Sequence, residues 1–106
     1  MALFEDRKKG HESKYAHDQD VRFRVTARRN KLLGLWAAGL LGKSGEDAEA
    51  YAREVVAADF EKPGDDDVVE KVLADCRAAK VEIDEHKLRR QMQTLEEEAR
   101  RQVTSE

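Results

Sequence analysis

The chain has 106 residues, which is enough for one domain with a single modest core. Hydrophobic residues make up 40% of it and charged residues 41%, and six glycines with one proline are too few for a turn-rich sheet, so the composition favours a helical bundle. The net charge is −3, no apolar run approaches the ~20 residues of a membrane span, and the acidic start at Glu5 excludes a secretory signal.

Residues 1–20 show no sustained apolar period, and their large apolar side chains are Met1, Leu3, Phe4 and Tyr15. Ordering this segment costs roughly 20–40 kcal/mol of backbone entropy, whereas each buried side chain offsets at most ~3 kcal/mol. We therefore predict a disordered or frayed segment. Because no Pro or Gly occurs between His11 and Asn30, the segment could become helical against a partner. A terminus without a function is the alternative.

The first predicted helix carries the densest run of leucines. Its apolar residues recur at spacings of three, four and seven, as on one face of a helix. They are Val21, Val25, Leu32, Leu33, Trp36, Ala37, Leu40 and Leu41. The apolar residues are closely spaced only from Leu32 onward. We therefore expect the second half of this helix to be buried, with Trp36 as the largest core side chain. Gly34 and Gly39 each weaken the helix by ~1 kcal/mol, and we expect both to permit close approach of a neighbouring helix.

Three further amphipathic patterns follow the first helix. Gly42 suits the left-handed residue that ends a helix, and Lys62-Pro63-Gly64 ends the next one. Asp84 can cap the last helix, with Ile83 and Leu88 as a hydrophobic staple. Four helices with short connections predict an all-α four-helix bundle over residues 21–106. The predicted helices cover about 20–41, 45–61, 66–80 and 84–103.

Two polar motifs have some of the residues of a ligand site. Gly42-Lys43-Ser44 resembles the end of a phosphate-binding loop, but position 37 is Ala where that motif needs Gly, and a helix rather than a strand precedes it. A helix stop followed by a cap explains these residues, although they leave a loosely bound nucleotide open. Asp65-Asp66-Asp67 lacks the alternating ligands of a calcium loop and instead suits the start of a helix. We predict no cofactor.

The histidines and the cysteine do not form a reactive group in the sequence. His11 and His17 are six residues apart and do not share a helical face, and His86 lies in the first turn of the fourth helix. We interpret them as surface residues and predict no metal site. Cys76 lies on an apolar stripe, where a small core residue is the better interpretation than a nucleophile. No acid–base pair stands out, so we predict that the protein is not an enzyme.

A basic run occupies residues 21–31, which contain no acid. Its basic members are Arg22, Arg24, Arg28, Arg29 and Lys31. With Phe23 among them for base stacking, a helical nucleic-acid-binding or adaptor module is one interpretation. The sequence pI of about 5.7 argues against nucleic acid. A solvated or partner-facing helix surface is the preferred interpretation.

Four segments of the chain carry a family resemblance. The most specific is ARRNKLLGLWAAGLLG at residues 27–42. The others are FEDR at 4–7, KYAHD at 14–18 and ADFEKPGD at 58–65. Together they resemble the zeta subunit of alphaproteobacterial F1Fo ATP synthases, and the similarity extends over essentially the whole chain.

The resemblance implies a regulatory subunit that inhibits ATP hydrolysis by the F1 sector. In that family an N-terminal region enters the interface of the α, β and γ subunits near a catalytic site, becomes helical and blocks rotation, while the other helices form a four-helix bundle. Here the inhibitory region maps to about residues 2–20. The partner-binding residues implied are Phe4, Glu5, Asp6, Arg7, Lys8, Lys9, Lys14, Tyr15 and Arg22, with Phe4 and Tyr15 as apolar anchors.

The expected setting follows from the resemblance and from the composition. The single cysteine fits a reduced cytoplasm. The protein would lie peripheral to the inner membrane through the F1 sector, with no membrane insertion of its own. We expect a monomer when it is free, and we expect no nucleic-acid partner.

Overall fold

A computed structural model describes the backbone of residues 2–61 and 64–106, and the side chains of residues 19–59 and 64–106. It contains four α-helices. They are α1 (Ala2–Leu40), α2 (Gly45–Glu61), α3 (Asp66–Ala78) and α4 (Glu85–Ser105). The described backbone contains no strand. The predicted all-α four-helix fold is confirmed.

Helix α1 begins upstream of the point at which the apolar pattern placed the bundle. The pattern predicted the first bundle helix from about residue 20, whereas α1 starts at Ala2. The side chains of residues 1–18 lie outside the described part of the chain. The division into a frayed segment at 1–20 and a bundle at 21–106 therefore stays a prediction.

Left-handed residues end α1 and α3. Gly42 has a φ of 76°, as predicted, and the Lys43 N–H donates to the Ala38 carbonyl at 2.8 Å. This bond satisfies one of the carbonyls that the helix end leaves unpaired. At the end of α3 the non-glycine residue Lys80 adopts a φ of 59°, and the Val81 N–H donates to the Cys76 carbonyl at 2.8 Å. This reversal explains why α3 ends at Ala78, two residues before the predicted end.

The start of α4 agrees with its local sequence signals. The Asp84 side chain accepts a hydrogen bond of 2.9 Å from the His86 N–H. This is the predicted N-cap. Ile83 and Leu88 both pack on the main hydrophobic cluster, Ile83 half-buried and Leu88 fully buried, as the predicted staple requires. Local signals therefore fix the position at which α4 begins.

The main hydrophobic cluster joins all four helices. Its buried members are Leu33, Ala37, Ala38, Tyr51, Val55, Val68, Val69, Val72, Leu73, Cys76, Leu88 and Met92. Trp36 was predicted as the largest core side chain, but it is only half-buried and packs at the edge of this cluster. It lines a surface groove of about 500 Å³ together with Leu40 and Ile83. Aliphatic side chains and alanine, rather than tryptophan, fill the centre.

A second, smaller cluster lies toward the N-terminal half of α1. Its buried members are Val25 of α1 with Ala99 and Val103 of α4, and half-buried Val21 and Leu32 pack against them. All of these residues come from α1 and α4. Only two helices therefore enclose the apolar interior at this end of the described bundle.

Gly34 allows α1 and α2 to pack closely. A Cβ built on Gly34 would lie 2.6 Å from the Ala52 Cα and 3.3 Å from the Val55 Cβ. The expectation of a close helix approach is confirmed at this position. At Gly39 the same expectation is wrong, because a Cβ there would meet nothing within 4 Å.

Gly34→Ala is expected to lower the free energy of unfolding by about 1–2 kcal/mol, since the added methyl meets backbone and the helices must separate. Gly39→Ala is the matched control on the same helix, and it should raise stability by up to ~1 kcal/mol through helix propensity alone. Urea unfolding followed by circular dichroism measures both. Equal gains in the two variants would contradict the close packing at Gly34.

Candidate functional site

The predicted partner-binding residues fall mostly upstream of the described side chains. Phe4, Glu5, Asp6, Arg7, Lys8, Lys9, Lys14 and Tyr15 lie outside the described residues. Their role stays a prediction. Arg22 is described, and its side chain is exposed on α1.

Among the described side chains, Val21 is the first of α1 that packs on a hydrophobic cluster. Gln19 and Asp20 just upstream are exposed, whereas Val21 is half-buried against the second cluster. On the opposite side of α1, Phe23 is 57% exposed. Phe23 is two residues from both Val21 and Val25, so a helical turn of about 100° per residue points it away from their stripe. This register is a sequence signal for an outward-facing aromatic residue.

Two arginines of the basic run reach the end of α4. The Arg24 guanidinium bonds to one oxygen of the Glu106 carboxylate at 2.6 Å, and Arg28 bonds to the other. Arg28 also donates to the Gln102 side-chain oxygen at 2.9 Å. The hydrogen bond from Arg28 holds the pKa of the Glu106 carboxyl below its ordinary value. Ion pairs this exposed contribute little to stability, but they occupy two cations that the sequence alone leaves unpartnered.

The third arginine of the run is buried. Arg29 is 4% exposed, and its guanidinium donates to Asp65 Oδ1 at 2.8 Å and to Glu96 Oε1 at 3.3 Å. It also donates twice to Asn30 Oδ1, at 3.1 and 2.9 Å. Arg29 thus connects α1 to the residue before α3 and to α4. The preferred interpretation of the run as a solvated or partner-facing surface is therefore wrong for Arg29.

Asn30 and Asp59 complete this polar region. Asn30 is 1% exposed, and its side chain lies close enough to the Asp59 carboxyl to affect its pKa. Burial raises the pKa of the Asp59 carboxyl, and the nearby Arg29 charge opposes that rise. We call Arg29, Asn30, Asp65 and Glu96 the polar layer. Its two members on α1, Arg29 and Asn30, lie just before Leu33, the residue of α1 at which the main cluster begins.

A second polar group fastens α2 to α3. The buried Tyr51 hydroxyl donates to Asp75 Oδ2 at 2.8 Å, and Lys71 Nζ donates to the same oxygen at 3.1 Å. Lys71 also lies 5.2 Å from the centre of the Tyr51 ring. Burial, followed by the contact with Asp75, raises the pKa of the Tyr51 phenol well above its ordinary value. The phenol therefore stays protonated and acts as a donor between helices.

The remaining candidate groups can be placed within the described residues. Burial raises the pKa of the Cys76 thiol, which disfavours the reactive thiolate. Among the side chains that the structure describes, no three His, Cys, Asp or Glu residues group as ligands for a metal ion. None of the described helices combines the length and apolarity needed to cross a bilayer.

The sequence analysis did not anticipate the internal partners of the basic run. Three of its five basic residues, Arg24, Arg28 and Arg29, bond to acids of this chain. Arg22 and Lys31 are exposed. Nothing in the described structure supports the nucleic-acid or adaptor alternative, and three of the five cations of the run are paired within the chain.

Comparison with known proteins places the chain in a family. The model of the family described as ATPase inhibitor subunit zeta matches residues 1–102. The chain belongs to this family. It is also similar to a protein whose structure was solved by solution NMR, with 46% sequence identity and a TM-score of 0.71 over 79% of this chain and 95% of that one. Comparison with curated protein sequences gives no significant match.

Membership in the zeta family confirms the resemblance carried by residues 27–42 and the three shorter segments. Its members are ATPase inhibitors, so the chain has an inhibitory role at the ATP synthase and associates with that enzyme. An inhibitor subunit is regulatory, and the polar groups described above act as links between helices. The family match includes the N-terminal segment as well as the bundle.

Proposed function

We propose that this zeta subunit inhibits ATP hydrolysis by inserting residues 2–20 as a helix at the interface of the α, β and γ subunits of F1, where it blocks rotation. The match of the family model over residues 1–102 carries the proposal, because it includes this segment together with the bundle. The partners are then the catalytic-interface subunits, and the protein lies at the cytoplasmic face of the inner membrane.

The position of α1 in the bundle supports different roles for the two ends of this helix. From Val21 onward α1 contributes to the two hydrophobic clusters, whereas Gln19 and Asp20 are exposed. The helix can therefore be held by the bundle at one end and present its other end to a partner. The polar layer links α1 to the residue before α3 and to α4, just before the main cluster.

The composition of residues 2–20 suits insertion of a helix into a groove. Phe4 and Tyr15 supply apolar anchors, and the cations Arg7, Lys8, Lys9 and Lys14 supply charged contacts. Aromatic residues and arginine commonly dominate the energy of an interface. Ordering the segment on binding costs about 1–2 kcal/mol per residue. The free energy gained from the surface buried in the complex must exceed this cost.

Titration of the full chain into purified F1 tests the proposal. We expect the rate of ATP hydrolysis to fall with added protein and to level off once the inhibitory site is filled. An unrelated ATPase in the same coupled assay is the control and should not respond. Unchanged hydrolysis at a large excess of this protein over F1 would contradict the proposal.

A further inference from the structure

The described bundle has two apolar interiors of unequal size. The main cluster draws on all four helices, whereas the second cluster draws only on α1 and α4. We call residues 21–28 of α1 with residues 97–105 of α4 the neck, and residues 33–96 the body. Among the described side chains the neck buries three, Val25, Ala99 and Val103, and all three are short or β-branched with little apolar area. Its hydrophobic stabilisation is therefore small.

The polar layer lies between the neck and the body along α1. Arg29 and Asn30 are as buried as the core residues around them, yet they fill their site with hydrogen-bonded groups. Such groups favour the folded state only while their partners stay in place. On α1 the layer separates Val25, the buried residue of the second cluster, from Leu33, where the main cluster begins, and half-buried Leu32 reaches back across it.

The ion pairs described at the neck are open to water. Arg24 and Arg28 pair with Glu106, and these side chains are 45%, 31% and 40% exposed. Water and salt compete for such pairs. Few buried apolar contacts and exposed polar ones are the features of a region that opens at low free energy.

We propose that the neck opens as a cooperative unit of its own, with α1 and α4 separating up to the polar layer while the body stays folded. In the open state, the N-terminal half of α1 can change its direction without loss of the main core. The inference does not depend on the proposed inhibition of F1, and its test uses the isolated full chain.

Native-state hydrogen exchange measures the opening directly. In the unmodified protein we expect neck amides to exchange at least about tenfold faster than body amides, because a helix detached from its packing partner frays. With added urea, the exchange of neck amides should rise with a shallower slope than that of body amides, since the slope reports the surface exposed on opening.

A pair of matched substitutions separates local from global opening. Val72→Ala weakens the body, and should speed exchange of body amides by about tenfold or more while neck amides keep their rate. Val25→Ala weakens the neck and should speed the exchange of neck and body amides alike, because complete unfolding also includes opening of the neck. The two valines are both buried, at 0% and 3% exposed, so the side chains removed are comparable.

A single cooperative unit predicts a different pattern. If Val72→Ala speeds neck and body amides by the same factor, the neck does not open separately and the proposal is wrong. Neck amides that show no protection at all would also overturn it, because α1 and α4 would then not be paired in solution. If Val72→Ala does not fold, the two urea slopes of the unmodified protein decide, and equal slopes reject the proposal.

Discussion

Replacing Asp65 and Glu96 together by Ala is expected to lower the free energy of unfolding by about 3 kcal/mol, and adding Arg29→Met to that variant is expected to restore about 1–2 kcal/mol. The reason is the difference in exposure within the polar layer. Arg29 is 4% exposed, whereas Asp65 and Glu96 are 50% and 43% exposed. Removing the acids leaves the buried Arg29 charge without its ion-pair partners, and replacing Arg29 by Met then removes that buried charge.

Local features limit the loss of stability in the variant that lacks Asp65 and Glu96. The Asp65 side chain makes no capping hydrogen bond to α3, so its removal costs no cap. Asp59 remains near Arg29 and screens part of the stranded charge. Methionine fills most of the arginine volume, but it leaves the Asn30 oxygen without its donor, so the recovery should be incomplete.

Asp66→Ala with Glu85→Ala is the matched control. These two acids pair with Arg89, whose side chain is 44% exposed, and they lie at the starts of α3 and α4. Because water reaches Arg89, only a slight loss of stability is expected. Urea unfolding of the four proteins measures the differences. A further loss of stability on adding Arg29→Met would show that Arg29 is not a stranded charge in the acid-free background.

Local signals in the sequence predicted the elements of the fold well, since each depends on residues close together in the chain. The Asp84 cap, the Gly42 reversal and the four amphipathic stripes each depend on such local spacing. The two glycines of α1 show where this reasoning stops. Gly34 and Gly39 are five residues apart, so they differ by about 140° in helical direction, and only the fold shows which one faces α2.

The charged residues were harder to place, because their partners are distant in sequence. Arg29 bonds to residues 36 and 67 positions away. Nothing in the basic run itself distinguishes it from Arg28, which points to the end of α4 and stays partly exposed. Trp36 shows the same difficulty for an apolar residue, because its place on the stripe does not show that it lies at the edge. The inhibitory segment came from resemblance alone and stays a prediction.

Deleting residues 2–14 is expected to weaken inhibition of F1 by at least about 100-fold while leaving the unfolding midpoint of the bundle unchanged. The deletion removes Phe4 and all four Lys and Arg residues of the proposed inhibitory segment. An anchor residue typically contributes about 2 kcal/mol or more to binding, and each 1.4 kcal/mol is a factor of ten, so loss of Phe4 with its charged neighbours reaches this magnitude.

Stability should be unaffected because both hydrophobic clusters begin at or after Val21 among the described residues. The polar layer and the Asp84 cap also lie well downstream of the deletion. Thermal unfolding of the deleted and the full chain checks this part of the prediction. A bundle that melts earlier after the deletion would mean that the segment packs on the bundle rather than serving a partner.

Point substitutions separate the anchors from the charges. Phe4→Ala with Tyr15→Ala should raise the concentration needed for half-inhibition at least about tenfold, since aromatic anchors dominate such interfaces. Leu40→Ala is the matched control, because Leu40 is also a large apolar residue of α1, is 40% exposed, and lies at the opposite end of the helix. Inhibition lost equally in the anchor variant and in the Leu40 control would place the contact with F1 on the bundle, and full inhibition by the deleted chain would remove residues 2–14 from the mechanism.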